Sequence, residues 1–165
     1  MSKTLIAFGT RFGATAKSSE VIAKVLRDKF NHEVEVVKLS SETENIDLSI
    51  FDNVIVGTSI AMFRWTKRAR KFLKNDFSGK KLFVFISSAA LTYPALEKGE
   101  IDKYEKWKGR FLDKIVKKNA NIKPSSTAVF GGWIAKRGQP GTYGTYNWKE
   151  EDMTKWAEEI GKITS

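Results

Sequence analysis

Residues 4–15 read Thr4-Leu5-Ile6-Ala7-Phe8-Gly9-Thr10-Arg11-Phe12-Gly13-Ala14-Thr15. The first five form an almost continuous apolar and β-branched run, which suits a strand covered on both faces. The next seven, with two glycines and two threonines, lead into a segment carrying Val21, Ile22, Val25 and Leu26 at helical spacing. A buried strand, a short turn and a helix make up the opening unit of a parallel α/β sheet.

The same alternation recurs along the chain. Val34 to Leu39, Asn53 to Thr58, Leu82 to Ser87 and Thr127 to Gly131 read as further strands. Between and after them, Ala69, Phe72 and Leu73 mark one helix and Tyr104, Trp107, Phe111, Leu112 and Ile115 another. Met153, Trp156, Ala157 and Ile160 mark the last, with Glu150, Glu151 and Asp152 in its first turn. The connection from Ser40 to Phe51 has weak periodicity and room for only a short helix. A βα unit repeated five times predicts one α/β domain over residues 1–165, a three-layer doubly wound five-stranded parallel sheet with right-handed crossovers. Two connections are longer than that fold requires, Ser88 to Asp102 and Gly132 to Lys149, and both follow the carboxyl end of a strand, where such sheets take their ligands.

Composition narrows the chemistry. The 165 residues contain no cysteine and one histidine, His32, so thiol catalysis, iron–sulfur clusters, a His-based metal site and a Ser/His/Asp triad are excluded or hard to build. Redox activity would need a bound organic cofactor. No apolar run approaches the roughly 18 residues that span a bilayer, and Met1 to Thr10 is too short for a secretory signal, so a cytoplasmic protein is expected. Lys and Arg number 29 against 19 Asp and Glu, a formal charge of +10 that favours an acidic partner.

The turn Gly9 to Thr15 has the small and hydroxyl residues that let backbone N–H groups converge on a phosphate at a helix N-terminus; the same residues also serve as a plain strand-to-helix turn. It lacks the Gly-Lys-Ser/Thr of a nucleoside triphosphate loop and the three glycines of a dinucleotide loop, so one terminal phosphate is the expected ligand. Small residues beside large rings follow the other strands: Gly57 to Trp65, with Ser59, Ile60, Ala61, Met62, Phe63 and Trp65; Ser87 to Tyr93, with Ser88, Ala89 and Tyr93; and Gly131, Gly132 and Trp133. A single-phosphate cradle beside a slot for a flat heterocycle describes a mononucleotide site, and FMN fits both parts. Each aromatic is equally at home in a core. Tyr93 and Trp65 are the expected stacking residues.

With these motifs the chain resembles the flavodoxin-like family over nearly its whole length. TLIAFGTRFGAT looks like that family's first strand and FMN phosphate loop, Thr10, Gly13 and Thr15 matching its Ser/Thr-x-x-Gly-x-Thr pattern, and FDNVIVGTSIAMFRW resembles its third strand and flavin loop. The resemblance implies strand order 2-1-3-4-5, FMN as cofactor, and contacts from Thr10 to Thr15 in which Phe12 and Ala14 replace the family's usual polar residues, leaving backbone or Arg11 to meet the phosphate. The look is closest to the branch of menaquinone-dependent protoporphyrinogen dehydrogenases, through T-R-x-G-x-T, TAVFGGW and the ending YNWKEEDMTKWAEEIGK, with Leu91 to Asp102 at the place of that branch's insertion.

An electron carrier needs no catalytic side chain and is the leading expectation; the alternative is an FMN-dependent protoporphyrinogen or quinone oxidoreductase. Nucleic-acid binding rests on charge alone and is not expected. Between Arg64 and Lys81 eight basic residues face the single acid Asp76, which points to an acidic redox protein such as a ferredoxin, or to an anionic membrane surface.

Overall fold

In a computed structural model, which describes residues 1–134 and 146–165, the five strands are β1 (Lys3–Gly9), β2 (Glu33–Lys38), β3 (Asn53–Ser59), β4 (Lys81–Ser87) and β5 (Ser126–Phe130). All pair in parallel, in the order β2-β1-β3-β4-β5. The expected doubly wound sheet is therefore the observed one, each strand lying within one residue of its sequence-read limits. β1, β3 and β4 are buried nearly throughout, whereas the edge strand β2 alternates in burial at its start, as its Glu-Val-Glu-Val pattern dictates.

Alternate strand residues feed two cores. Leu5, Val54, Val56, Leu82 and Val84 face one layer of helices: α2 (Lys67–Phe72), then α4 (Ile101–Lys108), a π-helical turn (Gly109–Asp113) and α5 (Lys114–Asn119). Ile6, Ile55, Phe83 and Phe85 face the other, formed by α1 (Ala14–Phe30) and α6 (Glu150–Ile163). The helix positions read from periodicity, among them Ile22, Leu26, Ala69, Phe72, Met153 and Trp156, are buried in these layers. The Ser40–Phe51 connection holds only a short 3-10 turn, Leu48–Ile50.

One expectation is corrected. Ser88 to Asp102 is not a long loop, because Thr92–Glu97 forms the helix α3 and α4 begins at Ile101. Pro94 is the third residue of α3, where a helix has no intrahelical use for the missing N–H. Of the other long connection, residues 135–145 lie outside the described part of the structure. Among the described residues no helix is long and apolar enough to cross a membrane.

His32 sits at the opposite end of the sheet from the strands' carboxyl termini. Its ring nitrogens meet Thr4 Oγ1 at 2.9 Å and Thr164 Oγ1 at 3.2 Å, and burial lowers its pKa.

Candidate functional site

At the carboxyl ends of β1, β3, β4 and β5 the connecting loops enclose a cavity of about 380 Å³, the position at which an open parallel sheet offers a ligand site.

The first wall is the turn after β1. Gly13 takes a φ of 91°, which disfavours any side chain, and its N–H donates to Thr10 Oγ1 at 3.0 Å. This closes the turn and launches α1, whose first-turn amides at Ala14, Thr15 and Ala16 have no intrahelical acceptor. Thr10, Phe12 and Ala14 line the cavity. Thr15 does not; it is fully buried and its hydroxyl donates to Ser87 Oγ at 3.1 Å. Arg11 also turns away from the cavity. Its guanidinium donates to the carbonyls of Ser59, Arg64 and Trp65 at 3.2, 3.1 and 2.9 Å, so the side chain fastens the neighbouring loop. Burial, and then the charge of Arg64, lower its pKa.

That neighbouring loop supplies Ser59, Ile60, Ala61, Met62 and Phe63 to the cavity. Ala61 and Arg64 exchange backbone hydrogen bonds of 3.2 Å, making a two-residue hairpin. Its tip, Met62 and Phe63, has φ of 50° and 63°, a left-handed pair normally served by Asn-Gly. For larger residues this costs on the order of 1 kcal/mol each. Ser59 Oγ is buried in the wall with no hydrogen-bond partner.

The remaining walls come from Ser87 to Leu91 and from Gly132 to Ile134, including the expected Ser88, Ala89, Gly132 and Trp133. Asn147 ties them together: its side-chain amide donates to the Ala89 carbonyl at 3.1 Å and its Oδ1 accepts from the Gly132 N–H at 2.9 Å. Trp133 Nε1 donates to the Phe12 carbonyl at 2.6 Å, linking the last loop to the first, while its ring stacks on Tyr146 at 5.5 Å.

Trp65 and Tyr93, the expected stacking residues, are absent from this lining. The Trp65 ring is buried with its Nε1 donating to the Phe111 carbonyl at 2.5 Å, which makes it the anchor at the start of α2. The buried Tyr93 hydroxyl donates to Asp152 at 2.5 Å; burial first, and then that hydrogen bond, raise its pKa. The aromatic side chains that do reach the cavity are Phe12, Phe63 and Trp133. Sequence reading missed Ser87, Ala90, Leu91, Ile134 and the bridging Asn147; Ser87 had a signal in its place at the end of β4, Asn147 none.

Every described lining residue is apolar, glycine or a hydroxyl, with no ionisable side chain among them. Among the described residues no cluster of three or more His, Asp or Glu offers a metal site. The cavity therefore joins a donor-rich end at the α1 N-terminus to an apolar slot containing one unpaired hydroxyl.

A family model described as a flavodoxin domain matches residues 5–155. No curated protein matches the chain. Among solved structures, a short-chain flavodoxin associated with a non-canonical PDU bacterial microcompartment superposes with a TM-score of 0.61 at 16% identity, covering 100% of both chains. Oxidised flavodoxin 1 from Bacillus cereus gives 0.57 at 20% identity over 99% of this chain and 100% of that one. A Fusobacterium nucleatum flavodoxin bound to flavin mononucleotide gives 0.52 at 16% identity, covering 99% of each. At such identities the likeness is one of fold.

Proposed function

The chain belongs to the flavodoxin domain family, and from that premise we propose that it is an electron carrier holding FMN in the cavity at the carboxyl edge of its sheet. The observation that carries this reading is the make-up of the wall: free amides at one end, an apolar slot at the other, and no described titratable group between them. FMN supplies the redox chemistry by accepting and releasing electrons one or two at a time. The chain's own residues bind and orient it. The first-turn amides of α1 would hold the phosphate in the favourable field of the helix N-terminus. Ile60, Ala61, Met62 and Phe63 would line the slot for the ring, and the unpaired Ser59 hydroxyl is free to hydrogen-bond a polar ring edge.

Turnover of a porphyrinogen or quinone is not needed to explain this site. The segment that would have to make a substrate pocket, Leu91 to Asp102, is largely spent on α3 and the start of α4, and Tyr93 within it is bonded to α6 through Asp152.

The test is direct. Protein purified with added FMN should carry flavin absorbance, and FMN fluorescence should quench on titration into stripped protein. Absence of both sinks the cofactor assignment. Steady turnover of a porphyrinogen donor with a quinone acceptor would replace the carrier reading by an enzymatic one.

A further inference from the structure

The positive charge of this chain has a particular geography beside the cavity. Arg64, Lys67, Arg70 and Lys74 are all exposed, and none has an ion-pair partner among the described residues. Their neighbours Arg68 and Lys71 are already taken by Glu44, at 2.7 and 3.4 Å. Ala69 and Phe72 fix the buried side of α2, so Lys67 and Arg70, three residues apart, share its outer side, and the exposed Lys74 follows in the turn after the helix.

Across the hairpin, the π-helical turn carries Arg110, whose guanidinium lies 5.5, 5.5 and 5.4 Å from the ring centroids of Phe63, Trp107 and Phe111. A cation held over three rings is fixed in place beside the cavity-lining Phe63. Lys106 adds a second, 5.4 Å from the Trp107 ring centroid. The acids of this side are mostly engaged: Asp113 with Lys108, Glu100 with Lys103, Asp76 with Ser78 and Asn121. Among the described residues, Asp102 and Glu105 on α4 have no ion-pair partner. Between the two basic banks stands the hairpin tip, with Met62 82% and Phe63 57% exposed. An apolar centre inside a charged margin is the anatomy of a transient protein interface.

We infer that this rim, Met62 and Phe63 flanked by Arg64, Lys67, Arg70 and Arg110, is the docking surface for an acidic redox protein. The inference rests on the electron-carrier reading, which requires the FMN cavity to come close to a second redox centre. Unpaired cations around the cavity mouth then select partners whose own centre is ringed by carboxylates, and attraction across the gap speeds their encounter.

The experiment uses the FMN-loaded protein, its flavin content first verified by absorbance, mixed anaerobically with a reduced acidic [2Fe–2S] ferredoxin. One electron leaves the iron–sulfur centre and is taken by the bound flavin, whose absorbance is followed. The second-order rate should fall roughly tenfold or more as the Debye length drops below about 10 Å. The triple variant Arg64→Glu, Lys67→Glu, Arg70→Glu should be slower at low salt by a similar factor with its flavin retained. A control, Lys117→Glu, Lys118→Glu, Lys123→Glu, changes net charge equally on exposed positions near α5 and should retain most of the rate. Equal slowing by both triples, or a rate indifferent to salt, overturns the inference. So does a rim triple that abolishes co-sedimentation with phosphatidylglycerol vesicles while leaving the ferredoxin rate untouched, which would make the surface a membrane contact. Failure of the carrier reading itself is seen earlier, as protein without flavin.

Discussion

Replacing Arg11 by Met removes a guanidinium that donates to three carbonyls at the base of the Ala61–Arg64 hairpin, those of Ser59, Arg64 and Trp65. A hydrogen bond from a charged group contributes roughly 1.5–3 kcal/mol when well shielded. Arg11 is largely exposed and water can replace it at the freed carbonyls, so a discounted ~0.7 kcal/mol each, about 2 kcal/mol in total, is the expected loss. The hairpin tip is already in a disfavoured left-handed conformation, so the loop should relax away from the cavity once unfastened. FMN affinity should then weaken by about 30-fold, read by fluorescence quenching. Riboflavin, which has no phosphate, separates two roles. If Arg11 holds the loop, its replacement weakens FMN and riboflavin alike; if it met the phosphate, only FMN would suffer. Arg11→Lys, with one compact ammonium in place of a planar fork, should fall between. An Arg11→Met protein that binds FMN within about twofold of the parent would refute this account.

Thr15→Ala breaks the buried hydrogen bond to Ser87 Oγ and should lower stability by about 1 kcal/mol, a fall in Tm of about 2–4 °C; Thr15→Ser should restore it. Trp65→Phe removes the donor to the Phe111 carbonyl and should cost about 1–3 kcal/mol in urea unfolding while the bound flavin's spectrum stays put. Phe63→Leu should do the reverse, shifting the spectrum at little cost in stability, and the opposite pattern would return Trp65 to the flavin. Burial lowers the pKa of His32 below its ordinary 6.5, so as the pH falls through that value the unfolded chain takes up a proton that the native state resists. Stability contributed by the neutral ring is therefore complete above about pH 6.5 and lost on acidification, and the difference in urea midpoint between the parent and His32→Asn should shrink from pH 8 to pH 5.

The strands were legible because burial on two faces leaves a continuous apolar run, as in Leu82–Ile86, and one-sided exposure leaves alternation, as in Glu33–Val36. The turn after β1 was legible because glycine and hydroxyl residues have few other uses between a buried strand and a helix. Where an aromatic ring points was not, since Trp65 at the start of a helix has one sequence whether it swings toward a ligand or toward Phe111. The placement of the Arg11 side chain was not legible for a related reason: three backbone carbonyls some fifty residues away hold its guanidinium, and backbone acceptors leave no mark in side-chain identity. The helix α3 was not legible because Thr92–Glu97 is too short to show helical periodicity, and Pro94, in its first turn, breaks nothing.

The pairing of α1 with α6 bears on how the molecule comes into being. An added Cβ at Gly161 would lie 2.4 Å from the Phe30 ring, so the end of the last helix seats directly on the end of the first. β1, fourth from one edge of the sheet, and α1 are synthesised early, yet the helix that shares their layer is translated more than a hundred residues later. Until it emerges from the ribosome, the apolar side of α1 and the Phe83–Phe85 side of β4 lack their neighbour. Nascent chains should thus engage chaperones up to the moment α6 is released, and Gly161→Leu should prolong that dependence by blocking closure rather than by weakening any strand.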